Sequence, residues 1–493
     1  MTVVRSLPGT PDACWISRAP HTNFPKLENS LHADAIIIGA GIVGLTAALR
    51  LCEAGRSVIV LEARRVGTQV TGRSTAKITT QHGLIYQHLT ETLGAAVARD
   101  YAEANLAGMR QIEEWIQLYA IACDLERKDA YVYAFQREKL SELEAEAQAA
   151  RAAGLSAEVV DAPLPFTTAG ALRFPDQAQF NPASYLVGLA SAVTALGGRI
   201  FEQSPVVLVD AASRWRAVTE AGNAHADHVV VATNITIKSP LGMSKRTQPR
   251  MHTAMAFRID AAIPLDGMFI GCEEPTHSIR TASDKEGRLL VVLGPKFNTG
   301  QDGDVARHFE DLEAWTRAHF PVGAAAWRWC NEDYDTADRL AFIGQPDPEK
   351  SAGFHIATGF NAWGISNGTA AGMLISDTIA TGKARWTRLF DPARPSSTKF
   401  NRPGDSASRV ASVADVVAGT GGVIRRGEEQ LAVYKDEAGN LQVLSAACTH
   451  KGCIVTWNNA DRTWDCPCHG SMFKPDGSVI HGPAKTPLAK AKL

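Results

Sequence analysis

Neither sign of charge prevails in this sequence: 50 Lys and Arg against 52 Asp and Glu leave a formal net charge of -2 over 493 residues. Without a basic excess or a Lys/Arg run, the electrostatic footprint that phosphate backbones require is missing, so nucleic acid is set aside as a partner. Long apolar runs are also lacking. The most apolar stretch, Ala35 to Leu49, is bracketed by Asp34 and Arg50 and broken by glycines, short of the roughly 20 apolar residues a spanning helix needs. No integral membrane segment is expected. The first thirty residues hold Arg5, Asp12, Arg18 and several prolines but no continuous apolar core, which argues against a secretory leader and for a cytoplasmic location. Internal repeats are absent, and 45% hydrophobic with 21% charged residues is a globular composition. Cysteine is sparse and uneven: of nine, Cys14, Cys52, Cys123, Cys272 and Cys330 are scattered, while Cys448, Cys453, Cys466 and Cys468 crowd near the C-terminal end. Scattered thiols are expected to be buried, whereas a cluster in a reducing compartment points to a metal or redox site.

The length exceeds the roughly 250–300 residues at which single cores stop growing, so more than one unit is expected. Between Asp391 and Ser408 the chain is rich in Pro, Ser and charge, which marks a linker at 391–408. It divides residues 1–390 from a small unit at 409–493 made of short β-runs and turn residues.

Near the start, the apolar run Ala35 to Ile38 leads into Gly39-Ala40-Gly41-Ile42-Val43-Gly44 and a helical stretch, and a second apolar run ends at Glu62. A strand, a G-x-G-x-x-G turn, a helix and an acidic residue about 20 positions on form the dinucleotide-binding fingerprint. The glycines let backbone N–H groups approach a pyrophosphate, and Glu62 is placed to accept from ribose hydroxyls. FAD and NAD share this fingerprint. Only one complete copy occurs, so reducing equivalents are expected from a substrate bound directly at a flavin.

This block resembles the D-amino-acid oxidase and glycine oxidase-like flavoproteins, as does the later segment Ala357-Thr358-Gly359-Phe360-Asn361-Ala362-Trp363-Gly364-Ile365-Ser366-Asn367-Gly368 running into a helix. The resemblance covers roughly Asp34 to Gly382. It implies FAD as cofactor, with Arg73, Ser74, Thr75, Ala76 and Lys77 along it and Val206 and Val207 beside the adenine. It also puts Gly359, Gly364, Asn367 and Gly368 at the flavin end, where a helix N-terminus would stabilise negative charge on the reduced ring. The implied fold is an α/β Rossmann-like FAD-binding domain, in parts at about 33–95, 200–235 and 335–390. An α+β substrate lobe is placed at about 96–199 and 236–334, with a small all-β unit behind it.

In that small unit Cys448-Thr449-His450 and Cys466-Pro467-Cys468-His469 give C-x-H and C-x-x-H halves with fifteen residues between them. Two cysteines and two histidines suit tetrahedral zinc, and they also suit a two-iron cluster in which thiolates hold one iron and imidazoles the other. The accompanying residues resemble Rieske proteins of the cytochrome bc type. That resemblance implies a [2Fe-2S] cluster on Cys448, His450, Cys466 and His469, a disulfide between Cys453 and Cys468, and a covering loop at Gly482-Pro483-Ala484. It also gives Ser471 a hydrogen bond to a bridging sulfide, while Phe473 stands where those proteins carry a tyrosine.

For catalysis, Lys77 and His82 follow the flavin-lining segment, and Arg280 is a candidate clamp for a substrate carboxylate. The segment Asp333-Tyr334-Asp335 with Asp338 and Arg339 is read either as pocket lining or as a structural ion pair, the structural role being favoured. The reading is an FAD-dependent dehydrogenase for a small amine or amino-acid-like substrate, sending electrons through the cluster to an external acceptor, a one-electron protein or a quinone. Its rivals are a flavin oxidase or hydroxylase with a structural or sensing cluster, and a non-catalytic electron-transfer adaptor.

Overall fold

The computed structural model describes residues 6–235, 237, 240–395, 400 and 409–493. Strands Ala35–Ile38 and Val58–Leu61 are buried at every residue and pair in parallel, Ala35 opposite Val58. Burial on both faces explains their unbroken apolar sequence. They lie within a six-stranded sheet ordered Phe342–Gly344, Phe354–Thr358, His228–Val231, Ala35–Ile38, Val58–Leu61, Arg199–Phe201. Helices Ile42–Glu53 and Ser366–Thr381 pack together on it. Glycine makes that approach possible, since a Cβ added at Gly368 would lie 2.7 Å from Ile42 Cγ2 and one at Gly372 2.5 Å from Thr46 Cβ.

A nine-stranded mixed sheet builds the second lobe, with the long antiparallel neighbours Thr247–Ile259 and Val322–Thr336 at one side. The two lobes exchange segments more than the sequence suggests. Strand Lys77–Ile78, expected with the FAD-binding part, pairs with Gly170–Gln179 in the second sheet. Helix Pro182–Ala195, expected in the substrate lobe, instead packs its buried Leu186, Leu189 and Val193 into the core that holds Leu45, Ala48 and Leu49 of the first helix.

Beyond the expected linker, of which 396–399 and 401–408 lie outside the described residues, come two small antiparallel sheets. One joins Thr420–Arg426, Glu429–Lys435 and Leu441–Ser445, and the other Thr456–Asn458, Thr463–Asp465, Met472–Phe473 and Val479–His481. This unit is seated on the second lobe. Ala460 and Met472 join the apolar cluster of Phe257, Phe309 and Leu312. Asn459 accepts from the Ala306 N–H at 2.9 Å and donates to Asp304 at 2.9 Å. Gly300, at φ +65, turns so close that an added Cβ would meet Asp465 O and Pro467 N at 2.7 Å.

Candidate cofactor and substrate sites

The first site starts at the turn after Ile38. Gly39 adopts φ +103, open to glycine at little cost, and an added Cβ would stand 2.6 Å from Ala232 O. A Cβ on Gly44 would run into the Gly39 carbonyl. Gly44 therefore serves the closeness of helix to strand, and Gly39 and Gly41 serve the open face. Both Glu62 oxygens accept backbone N–H groups, from Ala40 at 2.8 Å and Arg64 at 2.9 Å, and burial raises its carboxyl above the usual range. This turn opens on a cavity of about 1390 Å³, which Gly39, Gly41, Glu62, Ser74, Thr75, Val207 and Gly364 all line. A drug-sized ligand site occupies about 300–1,000 Å³, so this space suits a dinucleotide with room beside it.

Other expected residues lie off the cavity wall. Arg73 approaches Asp12 at 3.8 Å, and Gly359, at φ +79, turns against the Thr336 side chain. Asn367 donates to Tyr101 Oη at 3.0 Å and to Trp363 O at 3.1 Å, fixing the helix start instead of lining the space. Gly368 faces Ile42.

Arg280, expected as a clamp for a substrate carboxylate, lies off the cavity wall. Its Nη1 donates to the carbonyls of Thr75 and Ala76, each at 2.8 Å, its Nε to Thr281 O at 3.1 Å, and its guanidinium stacks over Trp15. It braces the cofactor-lining segment through those carbonyls. The indole N–H groups of Trp15 and Trp329 hold the same segment, on Ser74 O at 2.8 Å and Arg73 O at 2.7 Å. No local motif marks those two tryptophans.

His82 and Lys77 both line the cavity. Both His82 ring nitrogens are occupied, Nδ1 with Tyr101 Oη at 2.7 Å and Nε2 with Thr79 O at 2.9 Å, and the ring stacks on Trp363 at 4.8 Å. Burial lowers its pKa to about 3. It stays neutral and supports Trp363. Lys77 Nζ donates to Phe269 O at 2.8 Å and Ser278 Oγ at 2.6 Å, and burial, with Arg280 nearby, lowers it to about 7.

Asp333 and Asp335, expected to be structural, also face the cavity. The Ala362 N–H donates to Asp333, and burial raises that carboxyl to about 7. Asp335 accepts from Lys296 at 2.8 Å and from Arg250 at 3.3 Å. Val479, Ile480, His481 and Gly482 of the C-terminal unit complete part of the wall.

In the C-terminal unit, the two loops holding Cys448 to Cys453 and Cys466 to Ser471 are tied by a disulfide between Cys453 and Cys468, with Cα atoms 6.4 Å apart. Cys466 Sγ lies within 4.8 Å of both disulfide sulfurs. The Cys448 and Cys466 thiols share a hydrogen bond that lowers the pKa of Cys448 and raises that of Cys466. The His450 and His469 rings meet edge to face at 4.6 Å. Ser471 Oγ accepts from the Ala484 N–H of the covering loop at 3.1 Å. Two converging thiols and two converging imidazoles fit a two-iron cluster with chemically distinct ends.

A fingerprint turn opening on a dinucleotide-sized cavity, with a cysteine–histidine centre docked beside it, defines an FAD-binding oxidoreductase joined to a Rieske-type electron-transfer unit. The chain belongs to the FAD dependent oxidoreductase family, which matches residues 34–378, and carries a Rieske [2Fe-2S] domain at residues 406–492. It is an enzyme, with FAD and a [2Fe-2S] cluster as cofactors. A Rieske 2Fe-2S iron-sulfur protein of Bacillus subtilis, YhfW, is 29% identical over 500 residues, covering 98% of each chain. The gamma-glutamylputrescine oxidoreductase of Escherichia coli is 26% identical over 371 residues, 72% of this chain and 85% of its own. Glycine oxidase from Geobacillus kaustophilus shares the fold at a TM-score of 0.61 with 18% identity, covering 74% of this chain and 99% of its own. Among the described residues no helix is long and apolar enough to cross a membrane.

Proposed function

We propose that the chain is a dehydrogenase that oxidises a small amine or amino-acid-like substrate at FAD and passes the electrons through the Rieske cluster to an external one-electron acceptor, a protein or a quinone. One observation carries this reading: fingerprint residues Gly39 and Glu62, the polar residues Lys77 and Asp333, and His481 of the cluster unit all line one cavity. Relatives named for gamma-glutamylputrescine and for glycine support the substrate class.

Gly39 and Gly41 are assigned to the pyrophosphate, Glu62 to the ribose and Val207 to the adenine. Cys448 and Cys466 are assigned to one iron, and His450 and His469 to the other. When bound, FAD takes up a hydride and the cluster moves electrons singly. Asp333 offers a carboxylate to a substrate ammonium. Lys77, held at about 7, accepts a proton from the substrate nitrogen near neutral pH. Val479 to Gly482 supply the cluster unit's part of the cavity wall.

Anaerobic rapid mixing with a panel of amines and amino acids tests this. Flavin bleaching followed by cluster reduction is expected. Stoichiometric peroxide in air, with the cluster oxidised throughout, would identify a flavin oxidase instead.

A further inference from the structure

We infer that Tyr334, on the flavoprotein side of the docking face, sets the reduction potential of the cluster as a positioning residue for the loop that carries His469. The inference rests on the proposed role of His469 as an iron ligand.

Tyr334 is fully buried on strand Val322–Thr336. Its single hydroxyl proton has two acceptors within reach, Glu332 Oε2 at 3.0 Å and the His469 carbonyl at 3.2 Å. Glu332 Oε2 also lies 3.4 Å from His481 Nε2 of the cluster unit. Gly470, at φ +69, completes the turn by donating to Cys466 O at 3.0 Å, and a Cβ there would meet Tyr334 Oη at 2.6 Å. The hydroxyl therefore sits against the backbone that joins a thiol ligand to an imidazole ligand.

Within the cluster unit Phe473 is fully buried and brings no hydroxyl of its own. The flavoprotein strand brings one to the second cluster loop from outside. A hydroxyl dipole with its positive end on the His469 carbonyl stabilises the negative charge that reduction adds, the same logic by which hydrogen bonds around iron–sulfur centres raise their potentials. Strand alternation sends neighbouring side chains to opposite faces. Asp333 accordingly reaches the Ala362 N–H of the flavin segment while Tyr334 reaches the cluster loop.

The test uses the full chain with Tyr334→Phe, which keeps the ring and removes the hydroxyl. After iron, acid-labile sulfide and FAD are assayed, the cluster midpoint is read by a redox titration followed by electron paramagnetic resonance. A shift to lower potential is expected, with the g-values of a two-histidine cluster and the flavin midpoint unchanged. A tyrosine with a merely structural role would lower cluster occupancy without moving the midpoint of the clusters that remain, and that result overturns the inference. Glu332→Gln supplies the second arm. An amide oxygen competes less well for the phenolic proton, which leaves Tyr334 committed to His469 and raises the midpoint. If Tyr334→Phe fails to assemble a cluster, an unchanged midpoint in Glu332→Gln overturns the inference. Wild-type protein without iron and labile sulfide would instead remove the cluster assignment on which the proposed function stands.

Discussion

Lys77 holds its amine where a positive charge is costly. Burial brings its pKa from 10.5 to about 7, so between those values the unfolded chain holds a proton that the folded chain does not. Stability must therefore rise with pH across that window, and Lys77→Met should flatten the slope in denaturant titrations. The same shift makes the amine a base near neutrality. The rate of flavin reduction should rise with pH through about 7 in the native protein, and Lys77→Met should lose that limb together with about a hundredfold or more in rate. Retention of the limb in the variant would assign it to another group, Asp333 first. Arg280 shows why residue type alone misleads here. A polar cluster between strands reads the same whether it faces a substrate or the carbonyls of Thr75 and Ala76, and only the tertiary arrangement distinguishes the two.

The strand–turn–helix that opens the FAD site was fully legible, because its apolar run and its glycines, each with a geometric need, are contiguous in sequence. The structure divides those needs. A Cβ at Gly41 would meet only Thr71 Oγ1, at 3.3 Å, whereas one at Gly44 would collide with the Gly39 carbonyl. Gly41→Val should therefore yield an apoprotein that lacks FAD yet melts close to the native apoprotein. Gly44→Val should lose FAD and unfold several degrees earlier, since overpacking costs about 1–3 kcal/mol. Calorimetry with flavin quantitation separates the two, and equal melting temperatures would refute the division. The helix from Ser366 was also legible. Its Gly368 and Asn367 proved to serve helix packing and a hydrogen-bond network with Tyr101, roles that local sequence does not distinguish from flavin contact.

The two cofactor motifs could each be read alone, but their relation could not, because it rests on pairs far apart in sequence: Gly300 against Pro467, and Tyr334 against His469. A chain ending at residue 395 tests how much the units share. The fingerprint and the flavin segment lie upstream, so it should retain FAD in full. It loses the cavity wall from Val479 to Gly482, so KM for substrate should rise and the flavin should reoxidise faster in air. Unchanged values for both would mean that the cluster unit does not close the substrate site. If contact across the docking face makes the cluster easier to reduce, then by linkage a reduced cluster must hold the face more tightly, by the same factor. The joint between the two units then works as a latch set by the stored electron.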